Sequence, residues 1–263
     1  MRILAPILCL ALLASCGGTG TSKGQTGQLS GNWQMTLLNP SYTETQSGFL
    51  LQSGNTVTGN LLLSGQTLSG QLTCSGVGPV VGQLSGSNLS ITLTPAGQTV
   101  NLTGSPSNNF TSMSGDYAIL AAGCGQTETG TWTGTRVNNL TGNLQASFTL
   151  DGSTQVFHFS GNLTQGTNTG SSTANISGTM TSTDSPCFTT ASLAGAVSGT
   201  SVVLNLLTSD GEALGKYSGT MTTDATSITG TYRFSNASDP NLLGICEGYG
   251  GAATVAIQSS GTS

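Results

Sequence analysis

Few residues of this sequence have side chains arranged for acid–base or nucleophilic chemistry. His158 is the single histidine, and a general base needs a partner that the surrounding sequence does not supply. Asp210 and Glu212 flank a glycine, where a solvated hairpin turn explains them better than a carboxylate pair for glycoside hydrolysis does. Glu128 and Glu247 each follow a cysteine, at different offsets. We therefore predict no catalytic residues and a protein that is not an enzyme.

The cysteines and the charges exclude further classes of chemistry. The sequence has no C-x-x-C pair and one histidine, so it predicts neither a metal site nor redox catalysis. It also lacks a nucleophile elbow, a P-loop and a dinucleotide fingerprint, which leaves no predicted cofactor. Beyond Arg2, four cations stand against ten carboxylates, a formal net charge of −6. Nucleic-acid binding depends on cations and is excluded as a function.

The N-terminal segment resembles the signal of bacterial lipoprotein precursors. Arg2 precedes an apolar stretch, Ile3–Leu13, which is too short to span a bilayer as a helix. The stretch ends in Leu13-Ala14-Ser15-Cys16, which is similar to a lipobox. The resemblance implies removal of residues 1–15 and a lipid on Cys16 that holds the protein at a membrane. An ordinary secretory signal with an incidental cysteine is the alternative.

The residues after the lipobox predict where the folded part lies. Residues 17–28 offer no apolar side chain to bury, so residues 16–28 form the lipidated cysteine and a flexible tether. In the lipoprotein family an aspartate after the cysteine implies inner-membrane retention, and Gly17 stands there instead. We expect a cell-envelope protein anchored in the outer membrane. Its position, on the periplasmic face or at the cell surface, stays open.

The mature chain shows the period of two that is typical of β-strands. Leu89, Ile91 and Leu93 alternate with polar residues, and turn signals such as Asp151-Gly152 and Asp210-Gly211 recur every eight to twelve residues. Links this short join antiparallel strands, and these two turn signals suit two-residue hairpins. The predicted class is all-β and antiparallel.

A short unit, an apolar residue followed by Ser or Thr and then Gly, indicates strong curvature. The glycine shares a strand face with the apolar residue, and glycine relieves crowding on the concave side of a coiled sheet. We therefore expect barrels or tightly rolled sandwiches, with glycines that merely start turns as the alternative. The mature part resembles glycine- and threonine-rich all-β envelope lipoproteins. The glycines of the unit are Gly31, Gly59, Gly70, Gly86, Gly104, Gly115, Gly142, Gly178, Gly199, Gly219 and Gly230.

The mature chain also reads as a tandem duplication. Leu29–Gln34 matches Leu140–Gln145, and Ser114–Tyr117 aligns with Thr229–Tyr232. Two cysteines lie at near-equal distances within each half. These landmarks predict repeat 1 over 29–137, repeat 2 over 138–258, and a tail of residues 259–263.

The duplication predicts how the cysteines pair. Cys9 leaves with the signal and Cys16 takes the lipid, so four thiols remain in an oxidising envelope. Equivalent positions in the two repeats favour two disulfides. These join Cys74 to Cys124 and Cys187 to Cys246.

The sequence is compatible with three functions. The first is a non-catalytic scaffold or interaction module that binds another envelope protein. The second is a carrier of a small apolar ligand in a lipocalin-like barrel, which a dry cavity of several hundred Å³ would mark. The third, an enzyme acting on carbohydrate or peptide, is the weakest. Trp33 and Trp132 could line a pocket, but we expect them in the core. Ligand-binding residues and the oligomeric state are not predicted.

Overall fold

The protein is described by a computed structural model that covers residues 28–40, 42–67, 75–95, 97–121, 127–234, 246 and 248–258. The predicted signal and the predicted tether before Gln28 lie outside these ranges, as do Cys74, Cys124, Glu247 and the C-terminal tail.

The chain forms two closed, eight-stranded antiparallel β-barrels in tandem. The strands of the first barrel are β1 (Gly31–Leu38), β2 (Tyr42–Ser53), β3 (Thr56–Thr67), β4 (Gly76–Ser85), β5 (Asn88–Leu93), β6 (Gln98–Pro106), β7 (Ser112–Ala121) and β8 (Glu128–Val137). Those of the second are β9 (Gly142–Leu150), β10 (Val156–Gln165), β11 (Ala174–Thr181), β12 (Thr190–Ser198), β13 (Ser201–Leu207), β14 (Ala213–Met221), β15 (Ser227–Phe234) and β16 (Gly250–Gln258).

Each barrel is a simple meander in which every strand pairs with the next one in sequence. The first barrel closes between β1 and β8, and the second closes between β9 and β16. The described residues contain no α-helix. The predicted all-β, antiparallel, strongly curved class is confirmed, and barrels rather than sandwiches are its form.

Turn chemistry differs in detail from the prediction. Asp151-Gly152 and Asp210-Gly211 lie in five-residue links, residues 151–155 and 208–212, so the expectation of two-residue hairpins there is wrong. Two-residue turns occur at Gly54, Gly86 and Gly199, where Ser53 pairs with Thr56, Ser85 with Asn88 and Ser198 with Ser201. All three glycines have positive φ, between 54° and 62°, as such turns require.

Several glycines of the repeated unit allow neighbouring strands to approach closely inside each barrel, whereas Gly86 and Gly199 lie in turns, as the alternative interpretation has it, and Gly70 lies outside the described residues. Gly104 faces Gly115 across the β6–β7 pair, and Gly219 faces Gly230 across the β14–β15 pair. A Cβ on Gly115 would overlap the carbonyl oxygen of Thr103, and one on Gly230 would overlap that of Ser218. The same pair at the same register in both barrels supports the duplication and the curvature.

The interior of each barrel is a packed apolar core. In the first barrel Trp33 and Trp132 are almost fully buried, and their indole N–H groups donate to the carbonyls of Leu29 (2.8 Å) and Thr103 (3.1 Å). Both tryptophans are therefore core residues with satisfied polar atoms. In the second barrel an aromatic cluster fills one end, with Phe148 stacked on Tyr232 at 4.6 Å between ring centres.

The two barrels dock through polar contacts between an outer face and a turn. Asn32 on β1 donates from Nδ2 to the carbonyl of Gly199 and accepts the Gly199 N–H on Oδ1, both at 2.8 Å. Gln34 Oε1 accepts from the backbone and the hydroxyl of Thr200, at 3.2 and 3.3 Å. Ser47 and Ser198 share a 2.9 Å hydroxyl contact. The β12–β13 turn is thus held on the outside of β1 and β2.

An apolar anchor accompanies these hydrogen bonds. Phe49 points outward from β2, yet it is 4% exposed and packs with the core cluster of the second barrel. Nearby, Asn60 Nδ2 donates to the carbonyl of Gly170 at 2.6 Å. Buried apolar contact and reciprocal hydrogen bonds together fix the relative position of the barrels.

We predict that Gly115→Ala destabilises the protein by about 1 to 3 kcal/mol, because the added methyl must displace the backbone of β6. Chemical denaturation of the two proteins measures the difference. Gly166→Ala is the matched control, since its Cβ would meet only the Asn175 carbonyl, at 3.6 Å. Equal unfolding midpoints for the two variants would contradict the role assigned to close strand approach.

Candidate functional site

The cysteines of the second repeat are joined as the duplication predicts. A disulfide links Cys187, between β11 and β12, to Cys246, between β15 and β16, with the Cα atoms 5.4 Å apart. Cys74 and Cys124 lie outside the described residues, but in sequence they fall between β3 and β4 and between β7 and β8. These are the equivalent links of the first barrel, so the Cys74–Cys124 pairing stays a prediction that the topology supports.

His158 has the partner that the sequence could not supply. Its Nδ1 lies 2.7 Å from Asp184 Oδ2, and its backbone N–H donates to Asp184 Oδ1 at 2.9 Å. These two bonds, with a third from the Ser182 hydroxyl, lower the pKa of the Asp184 carboxyl to about 2. His158 remains largely exposed, with 67% of its side chain open to solvent. The contact between His158 and Asp184 attaches the β11–β12 link, which contains Cys187, to β10.

The other acidic residues that the sequence offers as candidate site residues lie in different places. Asp210 and Glu212 are exposed in the β13–β14 link, as expected for a solvated turn. Glu247 lies outside the described residues. Among the residues that are described, no cluster of three His, Cys, Asp or Glu side chains could hold a metal ion.

Glu128, by contrast, is half-buried in a group of polar side chains at one end of the first barrel. Its carboxyl accepts a hydrogen bond from the Tyr117 hydroxyl at 2.7 Å and another from Asn39 Nδ2 at 2.9 Å. Burial raises the pKa of the Glu128 carboxyl to about 7, and the Asn39 bond offsets part of that rise. Burial also raises the pKa of Tyr117, and the nearby charge of Glu44 adds to the effect.

Three further polar side chains face the interior at this end. Glu44 and Gln46 lie on the inner face of β2, which they share with Gly48 and Leu50. Gln98 is the first residue of β6. Gln46 has no solvent exposure, and neither its Nε2 nor its Oε1 has a hydrogen-bond partner. The Oε1 of Gln98 is buried and unpartnered as well. We call this end, with Asn39, Glu44, Gln46, Gln98, Tyr117 and Glu128, the polar mouth.

The second barrel shows which side chains the same fold places at the equivalent positions. In the first barrel Gly31 pairs with Leu50 and, six residues further, Leu37 pairs with Glu44; in the second, Gly142 pairs with Leu163 and Phe148 with Phe157. The register therefore matches Glu44 with Phe157 and Gln46 with Phe159.

The last strand of each barrel extends this match. Gly130 pairs with Tyr117 and Gly251 pairs with Tyr232. The residue two positions earlier is Glu128 in the first barrel and Tyr249 in the second. Glu128 thus corresponds to Tyr249 and not to Glu247. Aromatic residues close the second barrel where the first has carboxyl and amide groups, so the polar mouth is not a requirement of the fold.

The part of the second barrel that the structure describes has a small interior cavity. The cavity found there has a volume of about 10 Å³, room for roughly one water molecule. Its lining includes Phe148, Met180 and Tyr217, and the Tyr217 hydroxyl has no hydrogen-bond partner. Burial raises the pKa of Tyr217. A drug-sized ligand needs about 300 Å³ or more, so this cavity cannot hold one.

The strand order defines the class of protein: two eight-stranded antiparallel barrels in tandem. The two barrels differ at one end, which is polar in the first and aromatic in the second. None of the described segments forms a helix with the length and hydropathy of a membrane span. No protein-family model and no curated protein matches the chain.

Two solved structures show a distant likeness. One is the Myxococcus xanthus hemagglutinin in complex with a3,a6-mannopentaose, with 12% identity and a TM-score of 0.20 over 86% of this chain and 100% of that one. The other is intact Ap-TbpB with its N and C lobes, with 12% identity and a TM-score of 0.26 over 87% of this chain and 76% of that one. At these scores neither likeness carries a functional argument.

We predict that Glu128→Gln removes a pH dependence of stability. The folded carboxyl has a pKa near 7, above its ordinary 4.5, so the folded state holds more protons between these values and stability falls as the pH rises through them. The substitution should raise stability above pH 7 by about 1 to 2 kcal/mol, allowing for solvent screening. Urea unfolding at a series of pH values measures this.

The exposed Asp116→Asn on the neighbouring strand is the control for loss of a carboxylate. An unchanged pH profile in Glu128→Gln would show that burial does not hold the proton on this carboxyl.

Proposed function

We propose that this protein is a non-catalytic binding module of the bacterial cell envelope, held at the outer membrane by a lipid on Cys16 and by the tether of residues 16–28. The lipobox and the apolar stretch before it support this location. The two docked barrels support a rigid body that presents a fixed binding surface. In this proposal the ligand binds at the polar mouth of the first barrel.

One observation carries the binding role: the buried, unpartnered amide of Gln46. Each buried polar group without a partner costs about 1 to 3 kcal/mol, and folded proteins rarely keep such groups without a reason. The second barrel places Phe159 at this position at no such cost. A ligand that supplies both a donor and an acceptor to Gln46 would recover the lost hydrogen bonds.

The charges of the polar mouth favour a cationic ligand. Glu44 and Glu128 lie at the mouth, and the sequence contains no Lys, Arg or His between Lys23 and Arg136. Arg136 itself donates to the carbonyls of Gln28 and Ser30, at the opposite end of the barrel. An ammonium group near Glu44 and Glu128 would favour the charged form of both carboxyl groups, against the burial that raises the pKa of Glu128 to about 7, and an adjacent hydroxyl would serve Gln46. The ligand class is therefore a small organic cation of the amino-alcohol kind.

The apolar carrier has less support than this polar binding role. The cavity of about 10 Å³ in the second barrel is far below the several hundred Å³ that an apolar ligand needs. In the first barrel, an apolar ligand at the mouth would leave the Gln46 amide without hydrogen bonds.

We predict saturable binding of ethanolamine to the mature chain, and a roughly tenfold loss of affinity in Gln46→Leu, because that variant lacks the hydrogen-bonding amide. Ligand-observed NMR titration measures both values. Gln46→Leu should fold, since it replaces an unpartnered amide with an apolar group. Gln145→Leu, an exposed position on β9, is the control.

Ethanol and CaCl₂ are the companion probes in the same titration. Ethanol should not bind, because it lacks the charge. Saturation by Ca²⁺ instead of ethanolamine, or equal ethanolamine affinity in Gln46→Leu and the parent protein, would refute the assignment of the ligand class.

We predict that Cys16→Ser moves the protein from the membrane fraction to the soluble fraction and abolishes labelling by a fatty-acid analogue. The thiol carries the diacylglycerol, so a serine at this position leaves the protein without its lipid anchor. Cell fractionation with mass spectrometry of the mature N-terminus measures this.

Cys9→Ser is the matched control, because that cysteine is removed with the signal and its loss should change neither result. A Cys16→Ser protein that is still labelled and still found in the membrane fraction would disprove the lipid anchor while leaving the titration result untouched.

A further inference from the structure

The surface by which the barrels dock has a free counterpart on the second barrel. Docking uses Asn32 and Gln34 on β1 and Ser47 on β2 as one half of the interface. The register that matches Gly31 with Gly142 and Leu50 with Leu163 matches these residues with Asn143, Gln145 and Ser160. All three counterparts are exposed on the outside of β9 and β10.

The turn that forms the other half of the interface has a free counterpart on the first barrel. Ser198-Gly199-Thr200 connects β12 to β13, and Ser85-Gly86-Ser87 connects β4 to β5 with the same two-residue geometry. Gly199 has a φ of 54° and Gly86 one of 62°, so the two turns present their backbone groups alike. Ser85, Gly86 and Ser87 are exposed, and a Cβ on Gly86 would meet nothing within 4 Å.

The chemistry of the two unused halves matches that of the occupied interface. Asparagine, glutamine, serine and glycine recur at their positions, and only Thr200 is replaced, by Ser87, which keeps the hydroxyl. Outside this set the match is looser, since Phe49 corresponds to Asn162. The hydrogen-bonding set is therefore present twice, and one chain satisfies only one of its two copies.

We propose that a second copy of this chain is the partner of these free surfaces: the Ser85-Gly86-Ser87 turn of one molecule docks on Asn143, Gln145 and Ser160 of the next. In this arrangement Asn143 bonds both backbone groups of Gly86, as Asn32 does with Gly199. The two halves lie on different barrels, so the contact is heterologous and repeats head to tail. The inference does not depend on the ligand of the proposed function, but assembly at a membrane rests on its lipid anchor, which the Cys16→Ser experiment tests separately.

The contact between copies is weaker than the one within the chain. Asn162 stands where Phe49 supplies the apolar anchor, so hydrogen bonds alone hold the copies together. Within one chain, the covalent connection also gives the two halves a high effective concentration. Confinement to a membrane surface would provide the same advantage between anchored copies, and assembly is therefore expected on membranes rather than in dilute solution.

Cysteine cross-linking on membranes tests this with the full-length protein. Ser87→Cys and Gln145→Cys place thiols at positions equivalent to Thr200 and Gln34, which are in hydrogen-bonding contact within the chain. Oxidation of membranes containing the double variant should give a ladder of disulfide-linked species on a non-reducing gel. Each single variant should give none beyond a dimer. Adding Asn143→Lys to the double variant should abolish the ladder.

The control pair combines Ser87→Cys with Thr254→Cys, an equally exposed strand position outside the proposed surface. A ladder of equal strength from this pair would show random collision and overturn the proposal. Absence of a ladder from the Ser87–Gln145 pair, in protein shown by circular dichroism to be folded, would overturn it as well.

Discussion

Closing eight strands of six to twelve residues into a barrel requires that backbones approach each other on the concave side, where side chains would collide. The facing glycines Gly104 and Gly115, and Gly219 and Gly230, meet this requirement at the same register in both repeats. They fix which residues point inward on the neighbouring strands. The packed cores, the placement of Tyr117 and Tyr232, and the positions of the links all follow from that register.

Two copies of one framework thus carry opposite interiors at the same end. The second barrel is closed by an aromatic cluster beside the Cys187–Cys246 disulfide, and the first has carboxyl and amide groups. Tyr117 and Tyr232 occupy equivalent positions in the two barrels but have different surroundings. Tyr117 donates to Glu128, whereas the hydroxyl of Tyr232 has no partner among aromatic neighbours. Aromatic burial stabilises the second barrel, and the first retains groups that stability alone does not explain.

The sequence predicts the class, the curvature, the duplication and the pairing of Cys187 with Cys246, because each leaves a periodic or repeated signal. The polar mouth leaves none. Glu44 and Gln46 lie on β2, whose outer face is covered by the second barrel, so that Ser47 and Phe49 are buried too and the alternation of exposed and buried residues is lost. The partner of His158 was equally hidden, since Asp184 is 26 residues away and reaches it only through the folded link.

The direction of β1 gives the first barrel a polarity along its axis. The chain enters at Gly31, where Arg136 clamps the carbonyls of Gln28 and Ser30, and the polar mouth lies at the far end of the same strand. About eight residues of strand separate the two ends, roughly 20 Å of barrel after tilt. The polar mouth therefore lies at the end of the first barrel that is remote from Gln28, so the lipid that we propose on Cys16 would be attached on the side away from the mouth.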